Sequence, residues 1–66
     1  MSARIVNREE RRDAIAQAAA EIFVHKGFGQ TTVQEIATRA GIGKGTIYGY
    51  FPSKEAIIHH LFAYMN

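Results

Sequence analysis

The stretch that decides the fold of this chain is residues 32–51, which read TVQEIATRAGIGKGTIYGYF. Thr32 is followed three residues later by Glu35, a spacing typical of a capping box at the start of a helix. The apolar residues that follow recur at helical spacing and form one face, made of Val33, Ile36, Ala37 and Ala40. The pattern therefore predicts a short helix over residues 33–40.

A glycine turn and a second short helix follow in the same stretch. Gly41 can adopt the left-handed backbone that ends a helix, and Gly43 precedes a helix predicted over residues 44–50. Ala37 is a small residue, and Gly41 follows it by four positions. The aliphatic residues Ile42 and Ile47 follow it by five and ten positions. This spacing is typical of a helix-turn-helix. Spacing alone leaves a generic helical hairpin as the alternative.

The flanking sequence adds two more helices. Asn7 is a good N-cap and Gly27 a natural C-terminal glycine, which predicts a first helix over residues 8–26 after a basic arm, residues 1–7. Pro52 ends the third helix, and Ser53 starts a fourth over residues 53–65. The predicted core residues of these segments are Ile15, Ala18, Ala19, Ile22, Phe23, Phe28, Ile47 and Phe51. We therefore expect one all-α domain over residues 1–66, a three-helix bundle containing a helix-turn-helix, plus the start of a fourth connecting helix.

Composition excludes several classes of protein. The 66 residues contain no cysteine, which removes disulfides and thiolate–zinc sites and suits a reducing cytoplasm. His59 and His60 are neighbours on a predicted helix and point about 100° apart, so no metal or other cofactor is expected. No apolar run approaches the roughly 18 residues that span a membrane. No catalytic triad or carboxylate pair is visible, and residues 41–46 lack the spacing of a phosphate-binding loop, so an enzyme is not expected.

A set of short motifs in a fixed order carries a resemblance to a known family. The motifs are Gly27-Phe28, Thr31-Thr32-Val33, Glu35-Ile36-Ala37, Ala40-Gly41-Ile42, Gly45-Thr46-Ile47-Tyr48, Tyr50-Phe51 and Ser53-Lys54-Glu55. From about Arg11 to Leu61 the chain resembles the N-terminal domain of the tetracycline-repressor (TetR) family. It departs from that family at Gly43, where serine is frequent. The family's larger C-terminal helical domain is expected to be absent from this chain.

The resemblance implies that this chain binds double-stranded operator DNA, most often as a repressor, with its third helix in the major groove. It also implies a homodimer when full length, and a small-molecule inducer that binds only through the C-terminal domain. The residues implied to contact DNA are Thr32, Gln34, Lys44, Gly45, Thr46, Tyr48, Tyr50 and Lys54. We assign Lys44, Tyr48 and Lys54 to phosphates, and Gln34 and Thr46 to base edges. For Tyr48 and Tyr50, a half-buried aromatic with an exposed hydroxyl is the alternative.

Charge placement supports the same surface. Lys44 and Lys54 each open a predicted helix, where a cation opposes the helix dipole by about 0.3–1 kcal/mol. Both are well placed if each helix N-terminus faces a phosphate. Replacing either lysine should therefore weaken DNA binding and leave stability unchanged or slightly higher.

The rotation of about 100° per residue in an α-helix places Gly45 and Gly49 on the side away from the core, facing the groove. Alanine at either position should therefore stabilise the helix and reduce its fit to DNA. Arg4 and Arg8 are candidates for contacts in the adjacent minor groove.

A helical protein-interaction module is the alternative function, because the fourth helix carries a broad apolar side made of Ile57, Ile58, Leu61, Phe62 and Met65.

Overall fold

The computed structural model describes residues 7–63, and every regular element among them is a helix. The helices, in chain order, are α1 (Arg8–Lys26), α2 (Val33–Ala40), α3 (Lys44–Tyr48) and α4 (Lys54–Ala63). The all-α class is confirmed. Most of the predicted arm, including Arg4, and the predicted end of the fourth helix lie outside the described residues. Within the described range, no helix is long and apolar enough to cross a lipid bilayer.

The first helix has the predicted bounds because its two ends are capped by local sequence. The side chain of Asn7 accepts a hydrogen bond from the Glu10 amide at 2.8 Å. At the other end Gly27 has a φ of 89°, and its amide donates to the Phe23 carbonyl at 2.8 Å. The buried side of α1 consists of Ile15, Ala16, Ala19 and Ile22. Ala16 was not among the predicted core residues.

The second helix and its turn also follow the prediction. Both halves of the capping box are formed between Thr32 and Glu35. Gly41 is left-handed, with φ 77° and ψ 28°, and the Ile42 amide donates to the Ala37 carbonyl at 3.0 Å. Ile36 and Ala37 are fully buried. The chain therefore leaves α2 at Gly41, the position predicted for the turn of the helix-turn-helix.

The third helix is shorter than predicted. It ends at Tyr48 instead of residue 50, which corrects the position of Gly49 and Tyr50 from inside the helix to the turn after it. The Tyr50 amide donates to the Ile47 carbonyl at 2.8 Å, an i→i−3 bond that tightens the chain. The following Pro52 disfavours helical backbone at Phe51, and a glycine at position 49 adds little helix propensity. These local preferences account for the early end.

The four helices share one small core. Its fully buried side chains include one or more from each helix and from the turn after α3: Ile15, Ile36, Ile47, Phe51 and Ile57. Helix α1 packs against both α2 and α4, and α3 packs against α2. The Ser53 hydroxyl caps α4 by accepting a hydrogen bond from the Ala56 amide at 3.2 Å. As a result α3 is held from its inner side, while its outer side faces away from the bundle.

Candidate nucleic-acid interface

The outer side of α3 is open along its length. Ile47 is fully buried, whereas Lys44, Gly45, Thr46 and Tyr48 are exposed, with Tyr48 at 48%. A Cβ atom built at Gly45 would meet no heavy atom within 4 Å. The helix therefore presents a cation, two hydroxyls and a stretch of bare backbone.

Lys44 differs from the other cations between Lys26 and Lys54, a stretch that the structure describes completely. Lys26 forms an ion pair with Glu35, and Arg39 pairs with Glu21 at 2.6 Å. Lys54 is bound to backbone carbonyls, as described below. Lys44 has no hydrogen bond or ion pair with any described residue, so in this stretch it is the cation left for an external anion.

The N-terminus of α2 is occupied by a network around Glu35. The carboxylate accepts from the Thr32 amide at 2.9 Å and forms an ion pair with Lys26. Two hydrogen bonds hold the pKa of Glu35 below its ordinary value of 4.5. The bond from Lys26 has the larger effect, and the bond from the Thr32 backbone has the smaller. Thr32 is exposed, but its hydroxyl lies 3.3 Å from the Glu35 carboxylate and donates to it. A phosphate oxygen would compete with Glu35 for that proton.

Gln34 lies towards the α1 side of the exposed surface. Its amide nitrogen donates to the Thr38 hydroxyl at 3.3 Å, one turn along α2. Both side chains line an open groove between α1 and α2. Among the two residues predicted to read base edges, Thr46 therefore has the more favourable position, because it lies on the outer side of α3.

Lys54 has an environment that the sequence did not suggest. Its ammonium donates to the carbonyls of Phe28 at 2.6 Å and Thr31 at 2.8 Å, and more weakly to that of Gly29 at 3.4 Å. The same nitrogen lies 4.5 Å from the centroid of the Phe28 ring. We call this arrangement, Lys54 with Phe28, Gly29 and Thr31, the Lys54 clamp. It brings the α1–α2 loop onto the start of α4.

Tyr50 and Arg8 form a second contact that sequence reasoning missed. Arg8 is the first residue of α1, its guanidinium donates to the Gly49 carbonyl, and its Cζ lies 4.5 Å from the centroid of the Tyr50 ring. Tyr50 is half-buried and packs against the core. These residues are 41 or more positions apart in sequence, so no local pattern could have paired them.

The structure thus divides the residues predicted to contact DNA into two groups. Those that are exposed, on α3 and on α2 with its N-cap, are Thr32, Gln34, Lys44, Gly45, Thr46 and Tyr48. Tyr50 and Lys54 are half-buried and engaged within the bundle. DNA contact by any of them stays a prediction.

Comparison with known proteins shows the family to which this helical domain belongs. Residues 15–61 match the profile of the bacterial regulatory proteins of the tetR family. The chain is 43% identical over 56 residues to the uncharacterized HTH-type transcriptional regulator YuxN of Bacillus subtilis, covering 85% of this chain and 19% of that protein. It is 43% identical over 51 residues to the HTH-type transcriptional repressor KstR2 of Mycolicibacterium smegmatis, covering 77% of this chain and 25% of that protein.

A third relative is named an activator, whereas KstR2 is named a repressor. The HTH-type transcriptional activator FasR of Mycolicibacterium smegmatis is 45% identical over 47 residues, which cover 71% of this chain and 22% of that protein. In each of these three cases the chain spans a quarter or less of the relative's length. The matched region holds the whole helix-turn-helix, and the relatives are regulators rather than enzymes. The chain belongs to the TetR family of transcriptional regulators, in which it corresponds to the N-terminal DNA-binding domain.

Proposed function

We propose that this chain binds double-stranded DNA sequence-specifically, with α3 in the major groove. The observation that carries the proposal is the outer side of α3, where Lys44 has no partner among the described residues and Gly45 leaves the backbone bare. An α-helix fits the major groove of B-DNA, where each base pair presents a distinct pattern of donors and acceptors. A helix covered by other elements could not enter it.

Each exposed residue has a role in this proposal. Lys44 and the Tyr48 hydroxyl bind phosphates, which sets the register of the helix on the duplex. Thr46 contacts a base edge. Gly45 allows the backbone to approach the bases, because no Cβ projects from it into the groove. We assign supporting phosphate and base contacts to Thr32, the N-cap of α2, and to Gln34 on α2.

We also propose that the DNA-bound form is a homodimer that represses transcription. A single helix-turn-helix makes few contacts, and two-fold dimers place recognition helices about 34 Å apart, one turn of DNA. Repression needs only that the bound protein occupy the promoter, whereas activation needs a further contact. The dimer interface and the binding of a small-molecule inducer would belong to a C-terminal domain.

A salt series on duplex DNA tests the binding proposal. The chain is passed over immobilised random duplex at increasing salt, alone and as a covalently linked pair. We expect retention that falls steeply with salt and is much stronger for the linked pair, because phosphate binding releases counterions. A chain that flows through at low salt in both forms would contradict the proposal.

One observation favours a second candidate function, binding to another helical segment. Val24 on α1 is 88% exposed and Phe62 on α4 is 59% exposed. Both line an open apolar groove between these helices, together with Phe23, Ile58 and Leu61. We propose that a helix of a C-terminal domain covers this groove. Replacing Val24 and Phe62 with serine should then leave DNA binding by the chain unchanged; loss of DNA binding would contradict that separation.

A further inference from the structure

We propose that Lys54 is a positioning residue that closes the helix-turn-helix, and that its ammonium does not bind a DNA phosphate. The inference rests on the proposed function, since it concerns which residues of the DNA-binding surface touch DNA. It assigns Lys54 a role different from that of Lys44, although both residues stand at the start of a helix.

The first argument is a count of donors. An ammonium group has three N–H donors and no acceptor. In the Lys54 clamp they are directed to the carbonyls of Phe28, Thr31 and Gly29, at 2.6, 2.8 and 3.4 Å. The two shorter bonds are partly buried. This ammonium could donate to a phosphate oxygen only if one of these carbonyls were released.

The second argument is the place of the clamp in the chain. Thr31 immediately precedes Thr32, the N-cap of α2, and Lys54 comes three residues after Phe51, where the helix-turn-helix stretch ends. The clamp therefore joins the two ends of residues 32–51. Helix α2 packs against α1 and α3. The clamp adds a direct link between the loop that starts α2 and the helix that follows α3.

The third argument is that the bound loop is itself ordered by local bonds. The Thr31 hydroxyl donates to the Gly27 carbonyl at 2.8 Å, and the Thr31 amide donates to the Phe28 carbonyl at 3.2 Å. Thr31 is buried, at 2% exposure. Lys54 thus binds a defined set of carbonyls, and loss of its charge would loosen the residues that fix the N-terminus of α2.

The experiment compares three substitutions in the 66-residue chain. Lys54→Met removes the ammonium and keeps most of the aliphatic stem. Lys44→Met does the same at a site where we expect a phosphate contact. Ile57→Val weakens the core on the same helix as Lys54, where Ile57 is fully buried, and serves as a control for stability alone.

Two readouts are taken. Amide hydrogen exchange in the free protein should be several-fold faster at Gln30, Thr31 and Thr32 in Lys54→Met than in Ile57→Val. On random duplex, the log–log salt slope should stay unchanged in Lys54→Met and fall by about one unit per domain in Lys44→Met. Selected cognate sites should be bound several-fold more weakly by Lys54→Met than by Ile57→Val.

A further variant separates positioning from charge. Lys54→Arg keeps a cation that binds phosphate well, but its planar guanidinium matches three converging carbonyls poorly. We expect Lys54→Arg to keep the fast exchange of Lys54→Met. If Lys54→Met does not fold, Lys54→Gln, which keeps N–H donors without charge, takes its place in both readouts.

The proposal is overturned if Lys54→Met lowers the salt slope as Lys44→Met does, or if exchange at residues 30–32 stays at the rate of the control. The proposal would also be overturned if Lys54→Arg restored a cognate affinity and a salt slope that Lys54→Met had lost. A wild-type chain that does not bind DNA would contradict the proposed function instead, while the exchange measurement would still decide whether the clamp exists.

Discussion

Lys44 and Lys54 are both lysines at the first position of a helix, and the two helices are consecutive, yet their ammonium groups have different surroundings. Lys44 opens α3 with no partner among residues 7–63, on a surface that nothing in the described chain covers. Lys54 opens α4 and is bound by three carbonyls of a loop more than twenty residues earlier. A lysine at a helix N-terminus therefore indicates an anion site only when the surrounding fold leaves its ammonium free.

The largest expected effect is on stability, and it should differ in sign between the two lysines. Lys54→Ala removes a charged donor from the partly buried carbonyls of Phe28 and Thr31, so we expect it to lower the free energy of unfolding by about 1–3 kcal/mol. Lys44→Ala removes a cation that opposes the α3 dipole, and it should raise the free energy of unfolding by about 0.3–1 kcal/mol. Thermal or urea unfolding measures both. Equal effects on stability would remove the distinction between the two sites.

For Lys54 this expectation replaces the one drawn from sequence, which was that replacing either lysine leaves stability unchanged or slightly higher. Local signals were sufficient for α1 and α2, because Asn7, Thr32, Gly27 and Gly41 set the ends of these two helices where they were predicted. They were also sufficient for the outer side of α3, because a helix that buries Ile47 must expose Gly45.

The parts that sequence could not predict depend on long-range contacts. The Lys54 clamp joins residues 23 to 26 positions apart, and the bond between Arg8 and Gly49 joins residues 41 positions apart. A side chain's partner at such separations is set by how the helices pack, and no periodicity in the sequence encodes it. For the same reason the minor-groove role considered for Arg8 competes with a contact inside the bundle.

A smaller effect is expected from the two glycines of α3 and its turn. Gly45→Ala meets open space within a helix and should stabilise the fold by about 0.8–1 kcal/mol while reducing cognate affinity, because the new methyl group displaces α3 from the bases. Gly49→Ala should give little or no such gain. Its Cβ would lie 3.2 Å from the Thr46 carbonyl, outside the helix.

Melting curves and a titration against cognate and random duplexes measure these two variants. The sequence predicts a gain in stability at both positions. The end of α3 at Tyr48 and the 3.2 Å approach to the Thr46 carbonyl reduce the gain that we expect at Gly49. If Gly45→Ala keeps full cognate affinity, the backbone does not approach the bases closely, and the outer side of α3 is not the reading surface.

The smallest expected effect is the acid dependence contributed by Glu35. Its pKa in the folded chain is below the ordinary value of 4.5, chiefly because of the hydrogen bond from Lys26. A depressed folded-state pKa adds stability above the unfolded-state pKa, and this is lost as the pH falls through the folded-state value. Wild-type stability should thus decline below about pH 4.5 more than that of Glu35→Gln, since only the wild type loses this charge. Unfolding curves at several acidic pH values measure the difference, and identical declines in the two proteins would contradict the assignment.

The most direct test of the central claim, that α3 enters the major groove, is affinity cleavage from a single introduced cysteine. The chain has no cysteine of its own, so Thr46→Cys and Val24→Cys can each carry one DNA-cleaving reagent. Val24 is a matched control, because it is 88% exposed but lies on α1 beside the groove formed with α4. On a selected duplex at saturating protein, we expect localised cleavage with a major-groove pattern from position 46 and only weak, unlocalised cleavage from position 24. Localised cleavage from position 24, or none from position 46, would contradict the account.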